Sequence, residues 1–331
     1  MKKFFKGLLW FAIVVVSVIV IIIVYVQLSW NKTFEAPYPD IKATNDSAMI
    51  ERGRYLAYGW SHCAACHTPA EKAKDLESGI QMPLIGGFGE EAPGFGTFWA
   101  PNLTPDPKTG IGNLTDAQIA RAIRYCVKHD GKLLAPFMVF QGLSDEDLTA
   151  VISFLRSQPP VKNIVPSTEY SFVAKAVVAF GLMKPIGPKT TPPKSVRQDT
   201  TAEYGKYLAN SVGNCLGCHV KIDQTGNQVN ADFAGGGIFP PNQWSKGYGF
   251  VSPNLTPDKK TGLLADWTQQ QFVERFQGGR LYEGSPMPWG MFSRMSESDF
   301  KALYKYLHSL DPVEFKVEKT VYSPGEEMPK P

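Results

Sequence analysis

Apolar and polar positions divide this chain into segments of very different character. From Leu8 to Leu28 the run LLWFAIVVVSVIVIIIVYVQL holds 21 residues without a charge. At about 1.5 Å per residue, a helix of that length crosses the hydrocarbon core of a membrane. Farther along, Leu148, Val151, Ile152 and Leu155 recur at helical spacing, and so do Phe300, Leu303, Tyr304 and Leu307. Each set predicts a helix with one face against a core. Ser144 with Asp147, and Ser296 with Asp299, stand ahead of these stripes at capping-box spacing. Shorter helical stretches surround Gly53 and Gly205, glycines that either admit a second helix closely or serve a turn. The intervening sequence is rich in Gly, Pro and aromatic residues and reads mostly as loop.

Two segments fall outside this pattern. Residues 170–183, YSFVAKAVVAFGLM, are apolar and helix-compatible but too short to span a bilayer. They either touch a membrane interface or pack between domains, and packing between domains is the expectation. The proline-rich stretch that follows, MKPIGPKTTPPKSV, reads as an extended linker. The last residues, SPGEEMPKP, read as a mobile tail.

Charge adds an orientation. Lys and Arg number 34 against 31 Asp and Glu, and Lys2, Lys3 and Lys6 account for the net +3. The rest is formally neutral, which gives no footprint for nucleic acid. A cleavable signal would have a shorter apolar stretch and an A-x-A-like site, and SWNKTFEAPYPD supplies no such site. Residues 1–30 are therefore expected to be a retained single-span anchor. The three lysines stay on the cytoplasmic side and everything after residue 30 lies across the membrane.

The chain also repeats itself. ERGRYLAYGWSHCAACH at 51–67 returns as AEYGKYLANSVGNCLGCH at 202–219, with Gly53, Tyr55, Leu56, Ala57, Cys63, Cys66 and His67 each matched at an offset of 152. The same offset carries PNLTPDPKTG (101–110) onto PNLTPDKKTG (253–262) and LRSQPPV (155–161) onto LHSLDPV (307–313). Two copies of one small helical unit are the simplest account. Four of the five cysteines lie in the two Cys-x-x-Cys-His strings. Cysteines at i and i+3 of a helical turn project to one side, where they can hold two neighbouring substituents of a flat ring, and the histidine at i+4 faces its centre. This is the string of c-type haem attachment. Zinc would require four ligands close together, whereas these motifs sit in separate repeats.

With both motifs, both PNLTPD strings and both terminal helices, residues 46–315 resemble membrane-anchored dihaem c-type cytochromes built from two class I cytochrome c domains. The resemblance implies a mostly α fold with long loops: cytochrome c domain 1 at 46–162, a linker with a short apolar helix at 163–197, domain 2 at 198–315 and a tail at 316–331. It implies two covalently bound haem c groups, held by Cys63, Cys66 and His67 and by Cys215, Cys218 and His219. The sixth iron ligand would be a methionine from the late loop. In the second unit Met287, in SPMPWG, looks like the family's Met-Pro ligand loop, with Met291 in reserve; in the first unit Met138 is the candidate, in a loop lacking that proline.

The remaining candidates are weaker. Cys126 reads as a buried free thiol; if it replaced Met138 on iron, its thiolate would lower the first potential. His129 is expected to be solvated, and His62 has Asn214 as counterpart. His308 and Arg156 occupy equivalent last helical turns. Asn102 and Asn254, with Trp99, meet haem propionates or merely cap their turns. His/Met ligation fills both axial positions, so the expected chemistry is single-electron transfer. It would occur at the periplasmic face of a bacterial inner membrane, between a dehydrogenase or quinol-oxidising complex and a terminal oxidase or reductase. The alternative is a dihaem redox enzyme of thiosulfate dehydrogenase or peroxidase type, with one haem as active site. The haem domains also resemble those of cytochrome subunits of membrane-bound alcohol and gluconate dehydrogenases, which commonly carry three haems.

Overall fold

The computed structural model of the chain describes residues 2–223 and 226–330. Its first element, α1 (Lys2–Ser29), is one unbroken helix whose side chains are exposed except for Val26. Beyond it the chain builds the same arrangement twice. The first unit runs α2 (Ser47–Tyr58), α3 (Cys63–Cys66), α4 (Ala73–Glu77), β1 (Gly89–Ala92), β2 (Gly96–Trp99), α5 (Asp116–Tyr125) and α6 (Asp145–Ser157). Then come β3 (Glu169–Tyr170) and α7 (Phe172–Ala179). The second unit runs α8 (Ala202–Tyr207), α9 (Cys215–Cys218), β4 (Ile238–Phe239), β5 (Gly249–Val251), α10 (Gln269–Gln277), α11 (Trp289–Phe292), α12 (Glu297–His308) and β6 (Val321–Tyr322).

Helix starts follow local chemistry. Ser144 and Ser296 accept hydrogen bonds from the Asp147 and Asp299 amides, as their spacing predicts. Thr115 with Gln118 and Thr268 with Gln271 form full capping boxes at α5 and α10, a matched pair that the apolar pattern did not single out.

Within each unit the first helix crosses the last at a glycine. A Cβ on Gly53 would lie 1.9 Å from the Ala150 carbonyl oxygen, and one on Gly205 would lie 2.0 Å from that of Ala302. Both glycines serve close helix approach, not a turn. Because α3 and α9 follow these helices within a few residues, the crossing also places the Cys motifs.

Reciprocal bonds join the two units. Tyr207 donates to Asp147 Oδ2 at 2.7 Å and accepts from the Ser144 amide at 3.0 Å. At the 152 offset, Tyr55 donates to Asp299 Oδ2 at 2.6 Å and accepts from the Ser296 amide at 2.9 Å. Each unit thus reaches into the other's last helix, the pattern of a two-fold contact. The symmetry breaks at the carboxylates. Asp147 is held by Arg52 at 2.8 and 3.0 Å, whereas Asp299 receives the Trp60 indole N–H at 2.8 Å.

Three segments differ from the sequence reading. The Gly-rich loops contain short antiparallel sheets, ordered β1-β2-β3 and β4-β5-β6. The tail at 316–331 supplies β6, ahead of the SPGEEMPKP run expected to be mobile, with Val321 opposite Phe250, because backbone groups at the β5 edge need partners. The apolar segment forms α7, which packs on the end of α1 and not between the units.

Replacing Gly53 or Gly205 by Ala is expected to destabilise the protein by about 3 kcal/mol each, since backbone must shift to admit the methyl group; denaturant unfolding measures this. Burial, with the Asp299 charge and hydrogen bond adding to it, pushes the Tyr55 hydroxyl pKa up to about 12. A raised pKa favours the protonated form in the fold. The Tyr55 contribution is therefore complete below the unfolded phenol's pKa of about 10 and is lost between there and the folded value. Unfolding midpoints should be flat through neutral pH and fall above about pH 10, less steeply in Tyr55→Phe.

Candidate haem sites

Each Cys motif is a single helical turn, closed by His67 N–H to Cys63 O at 2.9 Å and by His219 N–H to Cys215 O at 3.0 Å. Immediately before it stands a residue in the left-handed region, His62 at φ 37° and Asn214 at φ 49°. The unlike pair shares a backbone task, and asparagine and histidine tolerate that conformation better than most residues. The His62 side chain carries no candidate ligand role. Its ring lies edge-on to Phe140 at 5.8 Å and to Phe292 at 6.2 Å.

None of the four motif cysteines forms a disulfide. Cys63 and Cys215 are half-buried, while Cys66 and Cys218 are exposed. Burial pushes the Cys63 and Cys215 thiols up to about 12. Among the described residues, no group of three or more His, Cys, Asp and Glu side chains is placed to hold a metal ion.

The histidines are set for axial ligation. His67 Nδ1 lies 2.9 Å from the Pro101 carbonyl oxygen and His219 Nδ1 lies 3.2 Å from that of Pro253. A carbonyl only accepts, so Nδ1 carries the proton and Nε2 keeps its lone pair for iron. Burial lowers both imidazole pKa values, with the carbonyl bond opposing it, which favours the neutral ring a metal requires. The histidine backbone is pinned too. Its carbonyl accepts from Gly86 N–H at 2.9 Å in the first unit and from Gly235 N–H at 3.0 Å in the second. Both glycines have φ above 70°, and a Cβ at either would strike the Pro101 or Pro253 backbone within 2.5 Å. The two thiols and the oriented imidazole of each unit therefore fit haem c.

Met138 and Met287 are both half-buried against the core that also takes in Cys63 and Cys215. Met291, the reserve candidate, is buried in that core. Cys126 is fully buried at a left-handed helix cap, and burial raises its pKa. It accepts from Gln141 Nε2 at 3.2 Å, and the same nitrogen donates to the Met138 carbonyl at 2.7 Å. Cys126 thus braces the Met138 loop as a neutral thiol.

Asn102 and Asn254 are structural. Asn102 donates to Val161 O at 2.8 Å and accepts from the Thr104 amide at 2.9 Å. Asn254 does the same with Val313 O and the Thr256 amide, both at 2.9 Å. Each amide ties its PNLTPD turn to the chain leaving the last helix and has no donor left for a propionate. Trp99 lies in β2, with its ring over Gly89. His308 bridges the carbonyls of Tyr304 and Leu264 at 3.0 and 3.1 Å, and Arg156 reaches Ile111 O in the first unit at 3.0 Å. His129 is exposed. Sequence reasoning missed Pro101 and Pro253 as histidine partners, although both begin the repeated PNLTPD string.

Residues 50–159 match the cytochrome c family, whose members carry covalently bound haem c. The chain is 31% identical over 288 residues to the cytochrome c subunit of the alcohol dehydrogenase (quinone) of Gluconobacter oxydans, covering 81% of this chain and 56% of that protein. It is 25% identical over 306 residues to the gluconate 2-dehydrogenase cytochrome c subunit of Pantoea cypripedii, covering 86% and 64%. A diheme cytochrome c-type protein of Cereibacter sphaeroides is 25% identical over 262 residues, covering 76% and 83%. The chain spans little more than half the length of the alcohol dehydrogenase subunits it matches.

Asn102→Ala and Asn254→Ala are each expected to destabilise their unit by about 1–3 kcal/mol, the consequence of leaving buried partners unsatisfied. Haem content should be unchanged, which unfolding curves and a haem assay on the same samples will check.

Proposed function

We propose, from a cytochrome c domain at residues 50–159, that this chain is a membrane-anchored dihaem cytochrome serving as the electron-transfer subunit of a dehydrogenase. It would receive electrons one at a time and pass them to a respiratory acceptor. The observation that carries this reading is the recurrence of one histidine geometry. In both units the imidazole that closes the Cys-x-x-Cys-His turn, buried in the first unit and half-buried in the second, is locked through Nδ1 by a proline carbonyl, which leaves its other nitrogen free.

Haem supplies a reversible one-electron change at iron. The chain would bind it through Cys63 and Cys66, and through Cys215 and Cys218, and would offer His67 with Met138 and His219 with Met287 as axial donors. A thioether and an imidazole as donors would raise the potential of a bound haem and would leave it no open site for a substrate. The protein's work is to orient the imidazole, keep water from the inner side and hold two redox sites in one body.

The quinone-linked and gluconate-linked names of the relatives support a dehydrogenase as donor. The apolar helix α1 and its basic start support a single-span anchor, with both units on the periplasmic side of a bacterial inner membrane.

The test is a haem count with spectra. Purified protein should carry two covalent haems per chain, show the weak far-red band of methionine ligation when oxidised, and leave its reduced spectrum unchanged under carbon monoxide. Cys63→Ala/Cys66→Ala and Cys215→Ala/Cys218→Ala should each retain one haem. Met138→Ala or Met287→Ala should keep both haems, lower one potential and create one carbon monoxide site. A wild-type haem that binds carbon monoxide would instead point to a redox enzyme with an open iron.

A further inference from the structure

Residues 171–198 connect the two units. They contain no Asp or Glu, while Lys175 and Lys184 stand among apolar side chains. The segment forms α7, capped by Ser171 and ended by Gly181 at φ 72°. Its inner face, Ala174, Val178 and Ala179, is buried. Its outer face is not: Phe172, Val173, Phe180 and Leu182 are 44, 52, 53 and 78% exposed.

What α7 packs against identifies its occupant. The Tyr25 ring lies 5.3 Å from that of Phe180, and its hydroxyl donates to Ala179 O at 3.4 Å. Lys32 Nζ reaches the same carbonyl at 3.4 Å. Trp30 lies 5.3 Å from Tyr170 and beneath the Lys175 ammonium at 5.1 Å. Tyr25 lies inside the uncharged run that ends at Leu28, only about 6 Å along the helix axis from Ser29. A side chain packed on Tyr25 therefore sits at the depth where hydrocarbon gives way to headgroups. Tyr and Trp at that level, with lysines reaching outward, make up the usual interfacial belt.

We propose that α7 and the turn through Leu182 form a second lipid contact: a short in-plane helix whose exposed apolar face enters the bilayer beside the anchor. The inference rests on α1 crossing the membrane. Two contacts instead of one hinge would orient the first unit. An aromatic ladder continues from this segment into the first unit, because Tyr170 touches Phe98 at 5.5 Å and Phe98 touches Phe137 at 4.9 Å. Phe137 adjoins Met138 and is 57% exposed.

The full-length chain in nanodiscs containing a phosphatidylcholine with a photoreactive acyl chain provides the test, read by mapping lipid adducts. Adducts are expected on α1 and on residues 172–182, with none on the exposed pair Leu281 and Tyr282 of the second unit. Phe180→Glu/Leu182→Glu should reduce the adducts on 172–182 about tenfold, leaving those on α1 and the haem spectrum intact. Adducts on α1 without adducts on 172–182 would overturn the second contact and leave the anchor standing. Absence of adducts on α1 would overturn both.

Discussion

The close crossing of first and last helix at Gly53 and Gly205 is the constraint on which the rest of the structure depends. A backbone carbonyl occupies the place where a side chain would begin, so the helices meet backbone to backbone. The Cys motif leaves the first helix within a few residues of that point, and its position is set by a rigid pair and not by a loop. The PNLTPD turn is then tied by a buried asparagine to the chain leaving the last helix. Its leading proline offers the carbonyl that fixes the histidine. The axial nitrogen is thus aimed by a continuous path of backbone contacts that starts at a glycine.

The same last helix joins the two units. Its N-terminal carboxylate accepts a tyrosine hydroxyl from the other unit, and the bond is made twice in opposite directions. Duplication of one unit supplies such a self-complementary surface without further design, as in a two-fold dimer. Divergence shows at Arg52 and Trp60, each neutralising or solvating one carboxylate in its own way. Trp60 and His62 also fill the seam with aromatic surface, close to both Cys motifs. If both units carry haem as proposed, a packed seam would hold the two in fixed relation better than a linker would.

Much of this was legible from sequence because the chemistry is local. Cap residues, the spacing of Cys, Cys and His, and a long uncharged run act over a few residues or through period alone. The offset of 152 did further work, since it paired residues without any knowledge of their contacts. Where the reading failed, the deciding partner was distant. Asn102 and Asn254 could cap a turn or meet a cofactor, and the Val161 and Val313 carbonyls decided it. The strand pairing of Val321 and Tyr322 with β5 was likewise invisible in the sequence, because its partner lies some seventy residues earlier.

The sequence by itself determined the terminal helices of each unit, the repeat, the candidate cofactor-binding residues and the presence of one membrane-length segment, because each follows from residue type and spacing. Tertiary structure decided which side of Gly53 a helix would approach, which carbonyl would hold each histidine, how the units grip one another and that α7 lies on the anchor. The physical reason is the same in each case. Close packing and buried hydrogen bonds reward pairs of groups far apart in the chain, and no local pattern records which partner will arrive.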